Sequence, residues 1–171
     1  MAYIDTNVLL SYYFTEDENH TCALNIVKKL RSEQREIIIS PLAVAELFSV
    51  ISRRIHQYKL PPHIKHLDEK TKVSVLVRQA LSILNPRVID DEPRLEQLNE
   101  FKAFHIFAKT VDLARKLKLK ALDLMHIAYT INLASKGLAN TIVTLGKEIK
   151  EKEPLLQKLG LKVYDLTVCT Q

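Results

Sequence analysis

Only three glycines occur in the 171 residues, Gly137, Gly146 and Gly160, and they do not cluster. Loops that cradle phosphate need clustered glycines so that backbone N–H groups can approach the ligand. That absence nearly excludes a P-loop nucleotide site and a glycine-fingerprint dinucleotide fold. There is no Gly-x-Ser-x-Gly elbow, which argues against a hydrolase of that kind. Cysteine is equally scarce. Cys22 and Cys169 lie far apart without paired spacing, so neither a zinc motif nor a disulfide framework is expected. No stretch approaches the roughly 18 apolar residues of a membrane span, and the first residues do not pair a basic segment with an apolar one as a secretory signal does. The expectation is a soluble cytoplasmic protein with no membrane partner. Charge is not strongly one-sided: 25 Lys and Arg against 20 Asp and Glu give a net +5, a mild bias towards polyanionic partners.

The length suits one domain, 1–171, with a good-sized core. Strands are expected at 2–5, 36–40, 87–90, 140–145 and 162–166. Between them, apolar spacing and punctuation predict helices over 7–14, 16–34, 42–58, 67–84, 95–119, 122–136 and 147–159. Pro41 opens one helix, Asn85-Pro86 stops another, and Gly137 sits where a C-cap would. The stretch 59–108 is the least readable and is taken as a helical insertion. Strands separated by helices predict an α/β fold, a mostly parallel sheet flanked by helices on both faces.

Most acids sit among polar residues, as a solvated surface requires. Asp5, Glu46 and Asp123 do not. Asp5 closes the first strand in AYIDTN, Glu46 lies in PLAVAELFSVI, and Asp123 lies in ALDLMHIAYT. Asp5 reads either as the N-cap of the next helix or as a site residue at a strand's carboxyl end, where α/β sheets bind ligands. Asp123 reads either as a first-turn acid favoured by the helix dipole or as a site residue. Ionised carboxylates are rarely buried unless paired or bound to a metal. Three on separate elements, without a Cys or His cluster, suit a hard cation, Mg²⁺ or Mn²⁺. Such an ion can activate water and stabilise charge on a phosphoryl group, which suggests a metal-dependent nuclease.

IDTNVLL at 4–10, AVAELFSVI at 43–51, ALDLMHIAYT at 121–130 and TIVTLGKEI at 141–149 resemble, in order and character, the PIN-domain family, and within it the VapC-like toxin ribonucleases. The resemblance implies a Rossmann-like parallel sheet and a metal-dependent endoribonuclease acting on RNA. Asp5, Glu46 and Asp123 fall on the family's three acids, Asn7 on the polar position after the first, and Thr144 on the hydroxyl residue ending the fourth strand. A toxin would imply a small antitoxin protein as partner and a homodimer. Two other readings stay open: a catalytically silent PIN-like RNA-binding or scaffold module, and a PIN nuclease of RNA processing without an antitoxin.

The chain departs from the pattern at TLGKEI, where many members carry Thr-x-Asp-x-Asp-Phe. Gly146 stands at the fourth acid's place and Glu148 at the following one, which makes Glu148 a further candidate ligand. Asp5→Asn is expected to be folded and inactive, with metal-free stability held or raised, because removal of one carboxylate relieves like-charge repulsion.

Lys109, Arg115 and Lys116, in KAFHIFAKTVDLARKLKLK, either line an RNA path or form a solvated helix face. His126, three residues after Asp123, reads as a core or rim histidine or as one orienting the carboxylate. His56, His63 and His66 lack the support a zinc site needs. Asp90, Asp91 and Glu92 read as a solvated turn, and Tyr12, Tyr13 and Phe14 as core or dimer contacts rather than base-stacking residues.

Overall fold

The structure is a computed structural model and describes residues 1–164 and Cys169. Its centre is a sheet of β1 (Ala2–Ile4), β2 (Ile37–Ile39), β3 (Arg87–Val88), β6 (Thr141–Val143) and β7 (Lys162–Val163). The spatial order is β3-β2-β1-β6-β7, and every pairing is parallel. The chain runs outward from β1 through β2 to β3, then returns to the other side of β1 for β6 and β7. The order therefore reverses between β1 and β6, the point where open α/β sheets form a crevice at their carboxyl ends.

Both faces of the sheet are apolar, because successive strand residues point to opposite sides. Ala2, Ile4, Ile37, Ile39 and Val143 join one core with α1 (Thr6–Tyr13), α2 (His20–Ser32), α3 (Pro41–Arg54) and α4 (Glu69–Leu84). Tyr3, Ile38 and Ile142 join a second core with α5 (His105–Leu117), α6 (Ala121–Ser135), α7 (Lys147–Glu151) and α8 (Glu153–Lys158). The expected α/β architecture is the observed one.

Four expectations need correction or trimming. Residues 95–104 are not helical: β4 (Leu95–Leu98) and β5 (Phe101–Phe104) form an antiparallel hairpin. Its turn places Asn99 at φ 49°, a left-handed conformation that a helix interior does not accept. The region 59–108 is therefore helical only in part. The helix expected over 147–159 is split in two, with Pro154 in the first turn of α8. Of the strand expected over 162–166, residues 162–163 are paired, and 165 and 166 lie outside the described residues. Cys22 and Cys169 are disulfide-bonded, with Cα atoms 4.4 Å apart. Their separation of 147 residues in sequence carried no sign of that approach. No helix among the described residues is long and apolar enough to cross a membrane.

Candidate active site

The local chemistry at the strand ends builds the site. Asp5 follows β1, and its N–H donates to the Val143 carbonyl at 2.9 Å, which extends the β1–β6 ladder by one bond. Its extended backbone makes it the N-cap of α1, accepting from the Asn7 N–H at 3.4 Å. Ser40 plays the same part after β2: it caps α3 by accepting from the Ala43 N–H, with Pro41 at the first helical position. Glu46 follows on the second turn of that helix. Thr144 follows β6. Asp123 and His126 share one face of α6, Asp123 in its first turn.

Asp5 is thus both a cap and a cluster member. It is 4% exposed. Its Oδ2 accepts from Thr144 Oγ1 at 2.6 Å and from Asn7 Nδ2 at 2.8 Å. Asn7 Nδ2 also donates to Thr144 Oγ1 at 3.1 Å, and Asn7 Oδ1 accepts the Leu145 N–H at 3.1 Å. The two polar residues picked out beside the acids therefore hold Asp5 against the end of β6.

Glu46 is held in the same manner. Its Oε2 accepts from Thr6 Oγ1 at 2.6 Å and from His126 Nε2 at 2.7 Å. No described residue donates to Glu46 Oε1. The His126 ring, 1% exposed, also stands 3.3 Å from Asp5 Oδ1. Asp5, Glu46 and His126 each offer a ligand atom within 4.8 Å of the others. Spacing from Asp123 places His126 on a helix face, but burial of the kind core residues share hides its position between two acids.

Burial raises the Glu46 carboxyl, but the hydrogen bond from His126, that ring's charge and the Thr6 hydroxyl outweigh it, and its pKa lies below the ordinary value. Burial pulls His126 down, and the charge of Asp5, with the bond and charge of Glu46 and the charge of Asp123, more than reverses it, so the imidazole sits above its ordinary value.

Asp123 stands outside the 4.8 Å group. It is half-buried, and among the described residues none donates a hydrogen bond to it. Burial, then the charges of Asp5 and Glu148, push its carboxyl up, against smaller opposing effects of His126 and Lys120. A half-buried carboxylate with no donor, beside another acid, is an anionic position without a fixed counter-charge.

Glu148 lies at the rim, where it accepts from Lys120 Nζ at 2.7 Å. Gly146 has φ −68° and ψ 116°, an ordinary conformation for any residue. A Cβ there would meet Thr144 Oγ1 at 3.2 Å and Asn7 Nδ2 at 3.7 Å. Arg115 and Lys116 are exposed in the last turn of α5, which the short segment 118–120 joins to the Asp123 end of α6; Lys109 is half-buried nearly two turns earlier.

Several of the other residues singled out serve packing, hydrogen bonds or ion pairs. Among the described residues His56, His63 and His66 do not form a ligand group. Phe14 is buried and stacks on Tyr58, and Tyr13 donates to Gln79. Asp91 accepts from Tyr129, and Glu92 pairs with Lys136, so the acidic turn is tied to α6.

Fold and site together define an α/β domain with a carboxylate cluster at its topological switch point. The family model described as PIN domain matches residues 2–153, and the chain belongs to that family. Among solved structures it is similar to VapBC2 from Rickettsia felis, described as bound to a DNA fragment from their promoter. That likeness has a TM-score of 0.57 at 20% identity and covers 96% of this chain and 100% of the other. It is also similar to Mycobacterium tuberculosis VapC20, described as a Sarcin-Ricin loop cleaving toxin. There the TM-score is 0.54 at 13% identity, covering 88% of this chain and 95% of the other. No curated protein matches the sequence.

Proposed function

We propose that the protein is a metal-dependent endoribonuclease, with Asp5, Glu46 and Asp123 as the carboxylates that hold Mg²⁺ or Mn²⁺. The observation that carries the reading is the way the acids are held. Among the described residues, Asp5 and Glu46 each give one oxygen to two close side-chain donors, while Glu46 Oε1 receives none, Asp5 Oδ1 only longer contacts, and Asp123 no hydrogen bond. Oxygens fixed in this way, beside a third carboxylate, are the donor set a hard divalent cation takes. When bound there, such an ion supplies charge for a phosphodiester and lowers the pKa of water.

The chain's own residues do the rest. Thr144 and Asn7 fix Asp5, and Thr6 and His126 fix Glu46, so the acids need little reorganisation when a cation arrives. Lys120, Arg115 and Lys116 place positive charge on the Asp123 side, where an RNA backbone needs it. Family membership and likeness of fold to two VapC-type structures support the subtype we propose, the toxin of a toxin–antitoxin pair. That subtype carries a small antitoxin partner, a homodimer and a cytoplasmic setting.

The experiment is incubation of a labelled RNA with the protein in Mn²⁺, in Mg²⁺ and in EDTA. The proposal expects cleavage with a divalent ion and none in EDTA. RNA that binds but stays intact under every metal condition would mark instead a silent RNA-binding module, the reading that Gly146 favours.

A further inference from the structure

We propose that His126 is a positioning residue that donates its Nε2–H to the acids, fixed in that role by Tyr3 and Ser40, and that it is not a ligand of the cation. The inference rests on the reading of the cluster as a cation site and assigns the histidine its part there.

The geometry at Nε2 decides where the proton is. Glu46 Oε2 lies 2.7 Å away and Asp5 Oδ1 3.3 Å away. Ionised carboxylates only accept hydrogen bonds. A lone pair on Nε2 would face two carboxylate oxygens, so the nitrogen carries hydrogen.

The other side of the ring agrees. Tyr3 Oη lies 2.7 Å from Nδ1 and 2.7 Å from Ser40 Oγ. Ser40 Oγ in turn accepts the Ala43 N–H at 3.3 Å. One orientation satisfies every group: Ser40 donates to Tyr3, Tyr3 donates to Nδ1, and Nε2–H donates to the acids. If the ring takes a second proton, Tyr3 turns its hydroxyl to Ser40 and accepts from Nδ1–H. Nε2–H is unchanged. The assignment therefore holds for the neutral and the charged ring alike.

Tyr3 can serve in this way because it is fully buried on the central strand, paired on both sides. Its hydroxyl is placed by the sheet. Ser40 is fixed too, as the cap of the helix that carries Glu46. The chain Ser40–Tyr3–His126–Glu46 thus links β1 and the end of β2 to α6 and α3 through three buried side chains and one half-buried carboxylate. Its effect is to occupy Glu46 Oε2 and leave Oε1 without a donor among the described residues. Outer partners that orient a ligand in this manner commonly matter to metal affinity almost as much as the ligand.

Two measurements test this. Nitrogen-15 imidazole NMR on the metal-free protein should show His126 as the Nε2–H tautomer or the imidazolium. Pulsed EPR of Mn²⁺ bound to uniformly ¹⁵N-labelled protein should show no directly coordinated histidine nitrogen. Tyr3→Phe should weaken Mn²⁺ binding roughly tenfold, while its NMR spectrum keeps the Nε2–H form that the two carboxylates impose. An Nδ1–H tautomer in the wild-type protein, or a coordinated nitrogen in the EPR spectrum, would overturn the proposal, and both readouts use the wild type should Tyr3→Phe fold poorly. Absence of any Mn²⁺ binding, with the Nε2–H tautomer present, would instead overturn the cation site on which the proposal rests.

Discussion

Thr144 Oγ1 donates to Asp5 Oδ2 at 2.6 Å, joining residues 139 apart in sequence at the ends of two adjacent parallel strands. The bond shows that Asp5 does structural work besides presenting charge. Like-charge repulsion is then only part of what its carboxylate contributes to stability.

Asp5→Asn should therefore abolish cleavage and also lower the melting temperature. The amide replaces an acceptor that serves Thr144 and Asn7, and a buried donor left without its acceptor costs about 1–3 kcal/mol. Thermal unfolding of the metal-free protein measures it. An unchanged or higher melting temperature would mean that relief of repulsion outweighs the lost bonds.

Asp123→Asn should behave oppositely. Asp123 receives no hydrogen bond among the described residues, and burial together with Asp5 and Glu148 raises its pKa. A raised acid pKa means that the folded metal-free protein binds this proton more readily than the unfolded chain does. The ionised group is then a net cost above the folded pKa, and that cost is removed as pH falls through it towards the ordinary value of about 3.9. The variant's melting temperature should exceed the wild type's at neutral pH, and the gap should close in that window. Mn²⁺ affinity should fall at least about tenfold, or about 1.4 kcal/mol.

Gly146→Asp should fold, because the backbone there is ordinary and the nearest atom to a new Cβ, Thr144 Oγ1 at 3.2 Å, needs to give by only a few tenths of an ångström. A fourth carboxylate beside Asp5 should tighten Mn²⁺ about tenfold by calorimetry. Unchanged or weaker affinity in the folded variant would show that the site does not lack a ligand at that place.

Glu148→Gln should do little. Its carboxylate is exposed and engaged with Lys120, and exposed ion pairs contribute about 0–1 kcal/mol. Mn²⁺ affinity should move by less than about twofold, less than 0.5 kcal/mol. A loss comparable with that of Asp123→Asn would place Glu148 among the ligands.

Arg115→Ala with Lys116→Ala should weaken RNA binding and flatten its salt dependence, the slope falling by about 1.4 if both contact phosphates of a single strand. Lys109→Ala, further from the Asp123 end of α6, should do less. An unchanged slope in the double variant would return this surface to an ordinary solvated helix face.

The acids were legible because a carboxylate in an apolar run demands an explanation, and strand–helix alternation told which sheet end Asp5 would occupy. Asn7 and Thr144 came from the family pattern and now have defined bonds. Tyr3 was invisible: an aromatic residue in a core strand gives no sign that its hydroxyl meets a ring 123 residues away. His126 showed its face by its spacing from Asp123, but its bond to Glu46 crosses 80 residues. The hairpin is hidden in the sequence because the helical apolar spacing of α5 continues back through residues 95–104, and only the left-handed Asn99 marks the turn. The disulfide depends on a tertiary approach that no local pattern encodes.

This carboxylate cluster is proposed to support hydrolysis of RNA through a divalent ion. The most direct test is end analysis of labelled RNA cut by the wild type and by Asp123→Asn across a Mn²⁺ titration. The cluster's proposed role predicts wild-type cleavage that rises with Mn²⁺, gives no 2′,3′-cyclic phosphate because water is the nucleophile, and is lost in the variant. Cyclic-phosphate ends, or cleavage equal in both proteins and indifferent to EDTA, would contradict it.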